Sequence, residues 1–166
     1  MDKLDKIKVA MVLDVYDDLS NGAVVSTRRF VHHLREKHDV KVVTIGDQNG
    51  DKDRITLPGF YPPIVKNVMQ KMEFQFAWPK RRILEKVMAE TDILHNQFSF
   101  LLGIRTVKLA RKKGVPVVST FHVQPENMLY NVGIKSPFLV KLIYRFFLRT
   151  VYNRSDAVIC PSPFSE

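Results

Sequence analysis

Ile7-Lys8-Val9-Ala10-Met11-Val12-Leu13, then the polar loop Asp14 to Asn21, then the stretch Gly22 to Lys37 decide how this chain folds. The first run is a strongly apolar strand. In the third, Val24, Val25, Phe30, Val31 and Leu34 fall on one side of a helix. Val40 to Ile45 reads as a second strand, Gly46 to Asp53 as a turn-rich loop and Arg54 to Leu57 as a short third strand.

Working outward, Pro58-Gly59-Phe60-Tyr61-Pro62-Pro63 interrupts the pattern, because so many prolines cannot continue a helix. Helical stretches are expected around Lys66 to Phe76 and over Pro79 to Ala89, the latter with proline at the first helical position. Ile93 to Asn96 is strand four, Phe100 to Lys113 a helix stopped by Gly114, and Pro116 to Phe121 strand five. Ser136 caps a long helix that runs from Pro137 to about Asn153, and Ala157 to Cys160 is strand six. Apolar strands alternating with helices imply an α/β fold: a doubly wound, mostly parallel, Rossmann-like sheet of about six strands with helices on both faces. The expected spatial order is 3-2-1-4-5-6. Ligands of such sheets sit outside the carboxyl ends of the strands, which directs attention to the loops after Leu13, Asn96 and Phe121.

The composition agrees with one globular domain: 166 residues, 45% hydrophobic and 26% charged. The single cysteine, Cys160, permits no internal disulfide and reads as a small buried hydrophobe. Met1 to Ala10 lacks the apolar core of a signal peptide, and no apolar run reaches the roughly 18–20 residues of a membrane span. The expectation is a cytoplasmic protein, either soluble or peripheral at the inner face of the cell membrane. Ser162 and Pro163 look like the cap and first residue of another helix, so the chain is expected to be one half of a larger protein.

The net charge of +9 suits either nucleic acid or an anionic membrane. Lys141, Arg145 and Arg149 form one stripe on the helix that begins at Ser136, with no acidic residue between Lys135 and Arg154. That stripe can face anionic lipid, or it can be the wet side of a core helix. The other basic residues form no nucleic-acid motif, and no nucleic-acid partner is expected.

The first loop lacks the G-x-G-x-x-G of a dinucleotide site. Gly22 instead opens the helix, where it either lets a phosphate or sugar approach the first N–H groups or belongs with Asn21 to an ordinary turn and cap. Asp14, Asp17 and Asp18 read as solvated loop acids. After strand five come His122, Gln124, Glu126 and Asn127, polar groups where this fold builds its site; His122 can bond sugar hydroxyls or handle a proton near neutral pH. His95, beside Asn96 and Gln97, could line the same crevice. No histidine and carboxylate set has convincing metal-ligand spacing, so neither a metal nor a cofactor is expected.

Asn21-Gly22-Ala23-Val24, Asp92-Ile93-Leu94-His95-Asn96-Gln97, Val117-Val118-Ser119-Thr120-Phe121-His122 and Ser155 to Ser162 together resemble family 4 of the glycosyltransferases, the retaining "group 1" family of GT-B fold. Thr120 to Gly133 further resembles bacterial members that glucosylate diacylglycerol. The resemblance implies that residues 1–166 are the N-terminal, acceptor-side domain, without the donor-binding domain and its E-x7-E motif. It implies sugar transfer with retention from a nucleotide sugar such as UDP-glucose to an acceptor, a membrane lipid such as diacylglycerol being favoured. Gly22 would meet the donor's phosphate and sugar and His122 would lie near the reacting sugar, with Asn21, Gln97, Gln124, Glu126 and Asn127 around them. Asn21 stands where many members carry a second glycine. The competing readings are a basic nucleic-acid-binding domain and a non-catalytic binding domain.

Overall fold

A computed structural model describes residues 6–161. In chain order its first elements are β1 (Lys8–Val12), α1 (Gly22–Arg35), β2 (Asp39–Ile45), β3 (Arg54–Leu57), β4 (Gly59–Phe60), α2 (Lys66–Lys71) and β5 (Phe76–Ala77). There follow α3 (Arg81–Ala89), β6 (Ile93–Asn96), α4 (Leu101–Lys113), β7 (Val117–Thr120), α5 (Pro125–Asn131), α6 (Pro137–Thr150) and β8 (Ala157–Ile159). The main sheet has six parallel strands in the order β3-β2-β1-β6-β7-β8, which is the expected doubly wound, Rossmann-like arrangement.

The reason lies in β1. Ala10, Met11 and Val12 are wholly buried, as strands covered on both faces must be, and Val9 stands between Val40 of β2 and Ile93 of β6. Leu84, Val87 and Met88 of α3 and Leu102, Val107 and Ala110 of α4 close the core from the helices. Gly103 permits the close approach of α4, because a Cβ there would stand 1.9 Å from the Phe98 carbonyl oxygen. Gly114 ends the helix in the left-handed conformation, φ 72°, as the sequence predicts.

Five expectations need correction. The helix over Lys66 to Phe76 stops at Lys71, because Glu73 takes φ 52° and Phe76–Ala77 turns back to pair antiparallel with Gly59–Phe60. That pairing also puts a strand inside the proline-rich break. The next helix starts at Arg81, with Lys80 as its cap, so Pro79 is not its first residue; the Trp78 N–H still bonds the Pro58 carbonyl, holding the chain extended. The loop after β7 is short, since Pro125 opens α5. Cys160 is half-buried, because β8 is an edge strand whose Val158 is 43% exposed. Ser162 and Pro163 lie outside the described residues.

Candidate functional site

The carboxyl ends of β1, β6 and β7 open into a cavity of about 520 Å³. One side is polar. Asn21 caps α1, its side-chain oxygen accepting from the N–H groups of Ala23 at 3.0 Å and Val24 at 3.4 Å. Apart from its chain neighbours and its own turn of helix, no atom of the described residues lies within 4 Å of where a Cβ would stand at Gly22. His122, one turn of extended chain past β7, lines the cavity and its Nε2 lies 3.1 Å from Gln97 Oε1. Gln124 and Asn127 line it as well, joined by a 2.8 Å bond from Asn127 Nδ2 to Gln124 Oε1.

The other side is apolar. Met69 and Met72 at the end of α2, Phe74, Phe76 of β5, and Met128 and Leu129 of α5 face the cavity. Phe74, Phe76, Phe98 and Phe100 pack edge to face, with centroids as close as 4.9 Å for Phe76 and Phe100. Phe98 brings this cluster against the His122 ring, 6.3 Å away. The flexible methionines suit an irregular apolar ligand.

The candidate residues separate on inspection. Asn21, His122, Gln124 and Asn127 meet at the cavity, with Gly22 beside its cap. Gln97 is fully buried beneath His122, so it touches the imidazole and not the cavity. Glu126 turns away, accepting from the Tyr144 hydroxyl of α6 at 2.9 Å; burial and that carboxylate push the phenol up to about 12. His95 is buried and bonds Thr120 Oγ1 at 2.9 Å, so it does not line the crevice; burial pulls it down to about 4. Burial also lowers the His122 pKa, which favours the neutral imidazole.

Sequence reasoning misjudged one loop acid, Asp14, and missed the pairing of another, the exposed Asp17. Asp14 is fully buried, its Oδ1 accepting from the Ala77 N–H at 2.9 Å, and burial raises its pKa to about 7. Asp17 holds the buried Arg54 through two bonds of 2.8 and 2.6 Å. Arg54 and Arg28 lie on the Tyr16 ring, 5.6 and 5.2 Å from its centre, so the first loop is clamped. Away from the cleft, His32, His33 and Glu36 bring ligand atoms within 4.8 Å of one another on the exposed end of α1, a grouping the spacing did not suggest. A hollow of about 580 Å³ lies at the amino ends of the strands, where Lys6, Lys41 and Arg35 are already paired with Asp39, Glu90 and Asp51.

On α6, Lys141, Arg145 and Arg149 are exposed. Beside them Phe138, Leu142 and Phe146, four residues apart, are 76%, 52% and 50% exposed, while Phe147 is the buried residue of the helix. Among the described residues no helix is long and apolar enough to cross a membrane.

A doubly wound sheet with its cleft at the carboxyl ends of the central strands defines a ligand-binding α/β domain. A solved structure of a putative UDP-N-acetylglucosamine 2-epimerase from Listeria monocytogenes shares that fold, with a TM-score of 0.52 and 12% identity over 96% of this chain and 40% of its own. Residues 20–166 match the model of Glycosyltransferase Family 4, and the chain belongs to that family. It is also 25% identical over 160 residues to an alpha-monoglucosyldiacylglycerol synthase of Streptococcus pneumoniae, covering 94% of this chain. The chain spans 35% of that relative's length.

Proposed function

We propose that this chain is the acceptor-side domain of a glycosyltransferase that moves glucose, with retention, from UDP-glucose to a membrane lipid such as diacylglycerol. The observation that carries the reading is the apolar half of the cavity, set directly against His122. A soluble sugar acceptor needs polar groups along its whole length, whereas methionine and phenylalanine walls favour an acyl or glyceryl portion. The open space over Gly22 suits a phosphate or sugar near the start of α1, though Asn21 already takes up two N–H groups there. In this reading the nucleotide base is held by a second domain outside these residues, and transfer needs no metal or cofactor from this one. His122 contacts the reacting sugar, with Gln124 and Asn127 beside it.

The membrane side of the reading rests on α6. Its exposed phenylalanines and leucine can enter the interface while the neighbouring cations meet anionic head groups. Three cations contribute about 3 kcal/mol together, enough for reversible attachment at the inner face of the membrane. α4 contacts α3 and the turn after α6, and it carries further exposed cations at Lys108, Lys112 and Lys113, Arg111 being paired with Asp156.

The test is transfer by the full-length protein from UDP-glucose to diacylglycerol in mixed micelles. An α-glucosyl lipid is the expected product; glucose on soluble sugars alone would overturn the reading. Flotation should show binding to anionic vesicles that falls with salt. Tight salt-sensitive binding to DNA without vesicle binding would instead favour the nucleic-acid alternative.

A further inference from the structure

Gln97 is a fully buried polar group at the cleft and makes no contact with the cavity. Its amide is held at both ends. Nε2 lies 3.0 Å from the Met11 sulfur of β1, and Oε1 lies 3.1 Å from His122 Nε2; Thr27 Oγ1 of α1 is 3.2 Å from Oε1 but only 2.7 Å from the Ala23 carbonyl, the nearer acceptor for its one proton. A thioether sulfur accepts hydrogen bonds and donates none. It therefore takes the N–H₂ end of the amide and turns the carbonyl oxygen toward the imidazole. A carbonyl oxygen can only accept, so the imidazole nitrogen facing it must carry the proton.

We propose that Gln97, aimed by Met11, is a positioning residue that holds His122 as its Nε2–H tautomer and leaves the Nδ1 lone pair to accept a hydrogen bond from a ligand hydroxyl. Nδ1 has no hydrogen-bond partner among the described residues, and the ring lines the cavity. With the opposite tautomer the ring would offer that ligand a donor in place of an acceptor. The functional part of this inference rests on the reading of the cleft as a sugar-transfer site. The tautomer itself does not.

Protein labelled with 15N at histidine reports the tautomer directly in long-range proton–nitrogen spectra, with His122 assigned by its absence in His122→Ala. The expected result is Nε2–H in the native protein. Gln97→Met removes the acceptor and should populate both tautomers. Met11→Leu conserves volume, leaves Gln97 in place and removes the sulfur, so the amide can turn and Nδ1–H should rise to a comparable fraction. In the full-length enzyme either change should lower kcat by about tenfold, the size of effect expected from losing one hydrogen bond that orients the imidazole. A native Nδ1–H tautomer, or an Nε2–H tautomer indifferent to both substitutions, overturns the proposal. UDP-glucose and diacylglycerol micelles added separately show which brings the hydroxyl, through a shift of the Nδ1 resonance; no shift with either overturns the ligand half. A protein that transfers no sugar yet keeps these spectra would contradict the functional reading alone.

Discussion

The polar wall of the cleft is made by the main sheet, whereas the apolar wall is largely hung outside it. His122 follows β7 and rests on the buried Gln97 at the end of β6, while Asn21 reaches the cleft as the cap of α1 in the loop after β1. Met69, Met72, Phe74 and Phe76 belong to the excursion between β3 and α3, whose two-residue strands pair only with each other. The difference separates two jobs. A rigid wall suits the groups that must meet reacting atoms to within a fraction of an ångström, and an adaptable wall suits an acceptor of irregular apolar shape.

Asp14 joins the two walls, because its carboxylate oxygen holds the Ala77 N–H of β5 from the end of β1. Its other oxygen is buried without a partner. The folded protein raises its pKa from 3.8 to about 7, so the folded state keeps a proton that the unfolded chain releases. Stability from this group is therefore greatest below pH 3.8, falls as pH rises through that window, and levels off above about 7. The loss across the window is about 4 kcal/mol as an upper bound. Asp14→Asn should flatten this part of the pH profile in denaturant unfolding and leave the variant more stable than the native protein at pH 8. An unchanged slope would show that Asp14 reaches solvent and does not weld the walls.

The walls should also part kinetically. His122→Ala in the full-length enzyme should lower kcat on the order of a hundredfold, about 3 kcal/mol, without loss of folding. Phe76→Ala on the apolar wall should raise KM for the lipid acceptor with kcat less affected. Equal effects of both on KM and kcat would erase the distinction. A smaller change is expected at Asn21, whose cap sits at the mouth. Asn21→Ala should cost about 1 kcal/mol of stability, measured by thermal unfolding, while Asn21→Gly should cost only a few tenths.

The same contrast explains what the sequence disclosed. The strand order was legible because Ile7 to Leu13 and Val40 to Ile45 are largely apolar runs, and Pro116 to Phe121 a short β-branched one, of the kind a covered parallel sheet accommodates. His122 was legible as a site candidate because its place follows from the end of β7. The apolar wall was not. Gly59–Phe60 and Phe76–Ala77 are too short to show a period, and they meet across a proline-rich gap. α5 carried a usable signal in Pro125 with Glu126 in its first turn, the same rule that located Pro137, but the polar residues around it read as loop. The burial of Asp14 had no local mark, since its partner Ala77 is 63 residues away. Glu126 looked like a site residue from its neighbours, yet it faces Tyr144 on a helix whose docking the sequence does not encode locally.

The central claim is that the acceptor's apolar portion lies between α2, β5 and α5 beside His122. Photo-cross-linking the full-length enzyme with a diacylglycerol bearing a photoreactive acyl chain, followed by peptide mapping, tests it most directly. The account predicts adducts on Met69, Met72, Phe76 or Met128 that unlabelled diacylglycerol competes away. Specific adducts confined to residues outside this cavity, or none that diacylglycerol displaces, would contradict it.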